Sequence, residues 1–487
     1  MNIAIQLQRG ESASLQDQLF EQLRQLILVG SLKPNSRVIG TRFLADQLGV
    51  SRTTVLLAYE RLISEGYLET RPAVGTFVCP TPPASPKARL RLVTPTAEAR
   101  EPRLPDFDPN PGAKPICGAS GEVFNFDPQA SDTSHLLPRK VWIRAVRDVL
   151  ESEPVGREDL PLAAGDLALR NIIVDRLAVT RGIMASPDQV IIVGGRRQAC
   201  SLIAHLFLRR GDRVLVESPG DPQINGFFSA RGATLLRTPV DELGLEIRRL
   251  PTGPVSLAYV TPARQNPVGG TLPQDRREAL LLWARASGAY LIEDDIDSDL
   301  RYHGTTPPPL IATDRHGLVF YTGCFNMTLG DGFSLGYLIA PPAFIEPLLA
   351  IKNMAGDGGA WLEQAVLARL IADGDYDHHL RRLRKIYLER RDVLIEGLRA
   401  RFGEVRLIGA ELGARLTWLL PEGFPKASVL SEAARAQGVV AEPLLCEGDP
   451  LDRPCKFHDR ALLLGYRGMS CDRLRAGVAR LADAIEA

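Results

Sequence analysis

Apolar residues in the first eighty positions recur at helical spacing. The pattern predicts a helix over residues 14–30, a short helix over 41–48, and a third helix that begins after Ser51 and ends at Gly66. Serine is a preferred helix-capping residue, and Gly49 supplies the turn in front of it. The buried faces of the three helices are predicted to carry Leu15, Leu19, Leu23, Leu26, Ile27, Leu44, Leu48, Val55, Ala58, Tyr59 and Leu62.

Two short strand-like segments follow, at 67–70 and 76–78, and the residues between them include proline and glycine. They predict a hairpin. Helix, short helix, tight turn, helix and hairpin is the order of a winged helix-turn-helix, whose third helix lies in the major groove of DNA. We therefore predict a DNA-binding domain over 1–79.

The rest of the chain has a different pattern. Residues 80–115 contain ten prolines and predict an extended linker. Residues 116–340 alternate buried strand-like runs with amphipathic helices, which indicates an α/β domain with a largely parallel sheet. From about 341 to 487 helices dominate, beginning with a long one over 361–402, and we predict a smaller α+β lobe. The predicted fold is therefore multidomain.

Charge and cysteine content narrow the picture only slightly. Lys+Arg and Asp+Glu are both 58, so a basic surface for DNA has to be local. No Cys-x-x-Cys pair, secretory signal or run of about 18 apolar residues is present. We expect a protein of the reducing cytoplasm with free thiols, no membrane segment and no metal site.

Candidate DNA contacts cluster at the start of the third helix and on the hairpin. Arg52 can form paired hydrogen bonds with guanine, and Arg71 suits the negative potential of the minor groove. Gly75 would let the hairpin tip approach the groove closely. The predicted DNA-binding residues are Arg42, Ser51, Arg52, Thr53, Thr54, Arg71, Gly75 and Thr76.

The amino-acid sequences of residues 40–68 and 71–78 strongly resemble the GntR family of transcription regulators. The rest of the chain, over about 120–485, looks like a fold-type I aminotransferase, in the arrangement of MocR-type regulators. The segments that carry this second resemblance are 137–139, 217–220, 261–269, 293–302 and 335–337. In that fold a lysine forms a Schiff base with pyridoxal phosphate, and a carboxylate keeps the cofactor's ring nitrogen protonated.

Measured against the aminotransferase family, the pocket is degenerate. Asp294 matches the carboxylate and Asn266 a residue that contacts the ring oxygen, but Met327 stands in the lysine's place, and no lysine occurs between Lys140 and Lys352. Four further family positions differ: the phosphate-binding arginine is Ser334, a tyrosine is Ile296, the stacking aromatic residue is Asp221, and a small residue of the phosphate cup is Arg196. The remaining members of the degenerate pocket are Gly195, Arg197 and Asn326.

The resemblance implies a homodimer, head to tail, whose DNA-binding domains exchange through the linker, and hence an operator of double-stranded DNA with repeated half-sites. Our leading hypothesis is a DNA-binding regulator whose aminotransferase-like domain serves dimerisation and the sensing of a small-molecule effector, without Schiff-base catalysis and without a bound cofactor. One alternative is a regulator that still binds pyridoxal phosphate non-covalently. The other is a residual aminotransferase.

Overall fold

A computed structural model describes residues 5–8, 14–72, 74–82, 123–128, 130, 137–152, 163–295, 297–305, 307–330, 332–356, 360–446 and 455–486. The chain divides into two compact units, residues 1–105 and 106–487. Most of the predicted linker over 80–115 lies outside the described residues. Each unit is described by itself.

The described residues of the first unit form three helices and one hairpin, as predicted: α1 (Leu15–Leu28), α2 (Thr41–Leu48), α3 (Arg52–Ser64), β1 (Leu68–Arg71) and β2 (Gly75–Val78). The Ser51 hydroxyl accepts the Thr54 backbone N–H and begins α3. Gly49 adopts a left-handed conformation that ends α2. The predicted face of α3 is confirmed, because Val55, Ala58, Tyr59 and Leu62 are buried.

The second unit alternates strands and helices along most of its length. Its helices are α4 (Arg139–Ser152), α5 (Leu167–Arg181), α6 (Arg196–Phe207), α7 (Pro222–Ala230), α8 (Gln274–Ser287), α9 (Leu310–Thr313), α10 (Asn326–Leu329), α11 (Ile345–Met354), α12 (Trp361–Ala372), α13 (Asp375–Phe402), α14 (Ala427–Ala436) and α15 (Cys471–Glu486). Its strands are β3 (Phe124–Asn125), β4 (Val190–Val193), β5 (Arg213–Ser218), β6 (Thr234–Asp241), β7 (Gly244–Leu245), β8 (Leu257–Val260), β9 (Tyr290–Asp294), β10 (Val319–Cys324), β11 (Gly336–Ile339), β12 (Arg406–Ile408), β13 (Arg415–Leu419), β14 (Val439–Val440), β15 (Glu442–Pro443) and β16 (Ala461–Gly465).

The large sheet has the order β4-β11-β10-β9-β8-β5-β6-β7. Its central strands, from β10 through β9, β8 and β5 to β6, run parallel, while β11 is antiparallel to both of its neighbours. β4, β8 and β11 are buried along their whole length, as expected for strands covered on both faces. The carboxyl ends of the parallel strands meet at one edge, where residues such as Asp294 are presented.

The smaller lobe is built on a sheet of order β12-β13-β16-β15. The single long helix predicted over 361–402 is wrong: α12 and α13 are separate helices, because Gly374 adopts a left-handed φ of 77° at the junction between them. α11 packs on α6, and α12 packs on α4 and α5. We therefore propose that the smaller lobe begins after α12 rather than at residue 341.

The expectation that all thiols are free is also wrong. Cys446 and Cys455 are joined as a disulfide. Four other cysteines, Cys79, Cys200, Cys324 and Cys471, are free thiols. Within the described ranges, no helix is both long enough and apolar enough to cross a membrane.

Candidate functional site

Some of the predicted DNA contacts already form hydrogen bonds within the first unit, and others do not. Arg42, Arg52 and Thr53 are exposed, and no described residue forms an ion pair or a side-chain hydrogen bond with them. Ser51 and Thr54 are committed to the helix cap, because their hydroxyl groups lie 2.8 Å apart and Ser51 also accepts the Thr54 N–H. Arg42, Arg52 and Thr53 are therefore among the exposed polar side chains of α2 and α3 that bond no described residue.

The predicted contacts on the hairpin bond or approach other residues of the first unit. The Arg71 guanidinium pairs with Glu69 at 2.6 Å, donates to Asn35 at 3.3 Å and lies over the Phe77 ring at 4.4 Å. Gly75 has a φ of 134°, and a Cβ there would lie 2.9 Å from the Arg37 Nε atom. Gly75 is thus favoured by its own backbone conformation, and the flexible Arg37 side chain lies close beside it. Thr76 is half-buried in β2, where its carbonyl accepts the Val38 N–H.

Sequence reasoning missed two features of this surface. Arg37 is exposed beside the hairpin, and its position before α2 gave no periodic signal. Leu56 and Leu57 are also exposed, on the face of α3 opposite to its buried residues. The helical period already placed these two leucines outside the core, which was the signal that could have found them.

In the second unit, four residues of the degenerate pocket form one connected set of polar contacts with Tyr259 and Arg415. The Arg196 guanidinium lies 2.7 Å from Asp221 and 3.6 Å from Asp294. Tyr259 donates to the same Asp294 oxygen at 2.5 Å. Asn266 donates to Asp221 at 3.0 Å and accepts from the Arg415 guanidinium at 2.6 Å. We call this set, from Tyr259 through Asp294, Arg196, Asp221 and Asn266 to Arg415, the pocket network.

Secondary structure explains where each member stands. Asp294 ends β9, and Arg196 is the first residue of α6, with Gly195 as its N-cap at a φ of 102°. Asp221 caps α7 by accepting the N–H groups of Gln223 and Ile224. Arg415 begins β13 of the smaller lobe. The pocket network therefore crosses from the large sheet to the small one.

Burial shapes the charges in this network. Asp294 is almost fully buried, which raises the pKa of its carboxyl to about 6, while Arg196 and the Tyr259 hydroxyl oppose the rise. Burial, together with the nearby Arg264 cation, lowers the pKa of the Arg415 guanidinium to about 9. Arg264 is itself fully buried and bonds the carbonyls of Leu412 and Arg415. It joins the lobes and does not line an open cleft.

Sequence reasoning did not find Tyr259 and Arg415. Arg415 gave one signal, because a charged residue stands there among apolar strand residues. Tyr259 gave none, since it reads as an ordinary aromatic residue of a buried strand.

The lysine position is occupied by an apolar side chain. Met327 lies on α10, and its sulfur is 3.3 Å from the guanidinium of the buried Arg467. Asn326, the first residue of α10, has a buried side-chain oxygen without a hydrogen-bond partner among the described residues. Ile296 lies outside the described residues. A thioether has no amine, so this position cannot form a Schiff base.

The phosphate-cup positions are also changed. The Gly194 N–H, which would face an anion, donates instead to the Gln198 side chain at 2.5 Å. Arg197 is exposed and bonds Gln223, and Ser334 is exposed on the loop before β11. Arg196, a cation of the chain itself, lies beside Asp294, where the family holds the cofactor's protonated ring. These residues do not fit pyridoxal phosphate bound in the manner of the fold family.

Comparison with known proteins agrees with this two-part construction. Residues 15–78 match the model of bacterial regulatory proteins of the gntR family, and residues 128–444 match aminotransferase class I and II. An archaeal alanine:glyoxylate aminotransferase superimposes with a TM-score of 0.67 at 26% identity, over 75% of this chain and 91% of that one. A kynurenine aminotransferase of Pyrococcus horikoshii, solved with PMP, gives 0.65 at 25% identity, over 75% and 91%.

Full-length relatives are regulators. The probable rhizopine catabolism regulatory protein MocR of Rhizobium meliloti is 31% identical, over 98% of this chain and 95% of its own length. The HTH-type pyridoxine biosynthesis transcriptional regulator PdxR of Corynebacterium glutamicum is 33% identical, over 99% of both. The chain therefore belongs to the MocR-type GntR family of transcription regulators, in which a DNA-binding winged helix-turn-helix is fused to an aminotransferase-like domain.

Proposed function

We propose that this chain regulates transcription by binding a double-stranded DNA operator through α3 and its hairpin, and that its aminotransferase-like domain serves dimerisation and effector sensing without Schiff-base catalysis. The non-catalytic part of this proposal rests on one observation. Arg196 lies between Asp221 and Asp294, in a pocket where Met327 occupies the position of the lysine. The proposal places the protein in the cytoplasm, where its DNA lies.

The DNA-binding half is supported by the state of the α3 surface. Farther along α3, Arg61 is paired with Asp17 and Glu65. Arg52 and Thr53 instead stand exposed at the N-terminal end of α3, the part of a recognition helix that meets base edges. Arg42 stands exposed on α2, the helix that crosses the DNA backbone in this motif.

The proposed absence of Schiff-base catalysis is supported by the lack of a lysine amine at the family's position. Met327 has none, and the nearest lysines in the sequence are Lys140 and Lys352. Lys140 is exposed on α4, and Lys352 is buried on α11. The residual-aminotransferase alternative therefore has no nucleophile at the position where the family places it.

One observation favours the alternative of non-covalent pyridoxal phosphate. The second oxygen of Asp294, Oδ1, is buried without a hydrogen-bond partner among the described residues. A protonated ring nitrogen would satisfy it. Against this, the same carboxylate is already held by Arg196 and Tyr259 through Oδ2.

The spectrum of the purified protein between 300 and 500 nm, recorded during titration with pyridoxal phosphate, tests the cofactor half of the proposal. We expect no saturable change for the wild type. Met327→Lys is expected to remain unchanged as well, because Arg196 and Asp221 still fill the pocket. Arg197→Ala, on the same helix but outside the pocket network, is the matched control.

A saturable band in the wild type would establish the non-covalent alternative and overturn the cofactor-free reading. A band in Met327→Lys alone would mean that the missing lysine is the only obstacle and that Arg196 yields to the cofactor. Turnover of an amino acid and a 2-oxo acid by the wild type would refute the non-catalytic assignment outright.

The dimer is part of the same proposal. Two DNA-binding domains on one head-to-tail homodimer require two half-sites, so a DNase footprint is expected to cover a repeated sequence. A footprint over one unrepeated half-site, or a monomer by light scattering, would contradict it.

A further inference from the structure

Two leucines on the DNA-binding unit are exposed where leucine has no packing role. Leu56 and Leu57 are 42% and 41% exposed, whereas the leucine of the same helix that faces the core, Leu62, is fully buried. Both lie on α3, one turn after Arg52 and Thr53. The sequence therefore places apolar groups in the middle of the surface that the proposed function assigns to DNA.

The helical period defines this surface. Because Val55, Ala58, Tyr59 and Leu62 are buried, the opposite side of α3 carries Arg52, Thr53, Leu56, Leu57 and Glu60. We call these five residues the outward face of α3. Side chains three and four positions apart are neighbours on a helix, so the two leucines lie beside Arg52 and Thr53 and continue the same surface.

The chemistry of the outward face suits base edges and not phosphates. Leucine cannot bond a phosphate, and the exposed carboxylate of Glu60 would be repelled by one. In the major groove, however, the C5-methyl group of thymine is an apolar target, and the cytosine amino group is a donor that a carboxylate accepts. Residues 1–80 contain eight Lys/Arg and seven Asp/Glu, so sequence-independent attraction to the backbone is weak.

We propose that Leu56 and Leu57 are specificity-determining residues that read thymine methyl groups in the major groove. These thymines lie one turn of α3 along from the base contacted by Arg52. The inference rests on the proposed function, because it presupposes that α3 enters the groove. It adds the class of base edge that the helix selects.

The first step of the test is selection of bound sequences from a random duplex pool by the full-length protein. Wild type, Leu56→Ala and Leu57→Ala are compared with Val29→Ala, which removes an apolar side chain that is 69% exposed at the end of α1. Wild type and Val29→Ala are expected to enrich thymine at the same position of each half-site. At least one of the leucine variants is expected to lose that enrichment while keeping the remainder of the motif.

The second step removes the methyl group from the DNA instead of the leucine from the protein. In the selected duplex, deoxyuridine replaces the enriched thymine, and dissociation constants are measured at fixed salt. The wild type is expected to bind about fourfold more weakly for each methyl lost, the value of one buried methyl-sized group. The leucine variant that lost the enrichment is expected to bind both duplexes equally.

The outcomes distinguish a failure of this inference from a failure of the proposed DNA-binding function. If the wild type enriches no sequence, the DNA-binding proposal itself fails. If it enriches a motif but binds thymine and deoxyuridine duplexes equally, the inference is wrong and the function stands. If the leucine variants keep the thymine preference but change the mass measured by light scattering, the leucines belong to a contact between copies, and the inference is also overturned. Unchanged melting temperatures for the variants are the control for folding.

Discussion

The outward face of α3 and the pocket network contain the same kinds of side chain in opposite states. On the outward face of α3, Arg52 and Thr53 are bonded to no described residue. In the pocket, Arg196 is shared between two carboxylates, and Asn266 uses both ends of its amide within the chain. The polar groups of the outward face are thus available to a partner, whereas most of those in the pocket network are already bonded within the chain.

The comparison also explains why Asp294 remains. Its carboxylate no longer needs a cofactor to be tolerated in the core, because Arg196 and Tyr259 accompany it. Buried charges persist only when they are paired. These two contacts are sufficient to hold Asp294 in the core, so its presence alone does not indicate cofactor chemistry.

The largest effect is expected from a substitution that breaks the pocket network. Arg196→Ala leaves Asp221 and Asp294 without their common cation, and we expect the free energy of unfolding to fall by about 3–4 kcal/mol. Arg197→Ala, exposed one residue further on, is expected to change it by less than about 0.5 kcal/mol. All four tryptophans, at 142, 283, 361 and 418, belong to the second unit, so fluorescence during urea unfolding reports on that unit alone. Equal effects of the two variants would show that the network carries no stability.

The next effect concerns another buried carboxyl at the same sheet edge. Burial raises the pKa of Glu217 to about 7, against hydrogen bonds from Thr261 and Gln265. Since its folded pKa lies above its unfolded one, Glu217 stabilises fully below pH 4.5, and that contribution is lost as the pH rises through 7. Glu217→Gln should remove about 2–3 kcal/mol of this decline. Parallel stability curves for wild type and variant between pH 4.5 and 8 would contradict the assignment.

A smaller effect is expected on the outward face of α3. Arg52→Ala should weaken binding to the selected duplex by about 1–3 kcal/mol and relax the preference at one base position. Folding should be unaffected, because Arg52 bonds no described residue. Loss of affinity without any change in base preference would instead make Arg52 a phosphate contact.

The smallest expected effect is on the hairpin. Arg71 is already held by Glu69, Asn35 and the Phe77 ring. Arg71→Ala should therefore change DNA affinity by less than about 0.5 kcal/mol, since an exposed pair of this kind contributes little. An effect as large as that of Arg52→Ala would mean that Arg71 leaves its partners to enter the minor groove, as the sequence first suggested.

Sequence reasoning succeeded where the determining interactions are local. The buried face of α3 and its Ser51 cap follow from spacing within a few residues, and both are confirmed. The break at Gly374 was missed because glycine inside an apolar helical pattern is ambiguous without its φ angle. The fate of Arg196 could not be decided either, because its partners lie 25 and 98 positions along the chain and only folding brings them together.

The interlocking of the pocket network bears on the history of the chain. Met327→Lys alone would leave Arg196 beside Asp294, and removing Arg196 alone would strand two buried acids. Each single reversal is therefore neutral or harmful, and chemistry could return only through several substitutions made together. Under the proposed function, the pocket network therefore makes the loss of catalysis difficult to reverse, in the manner of an evolutionary ratchet.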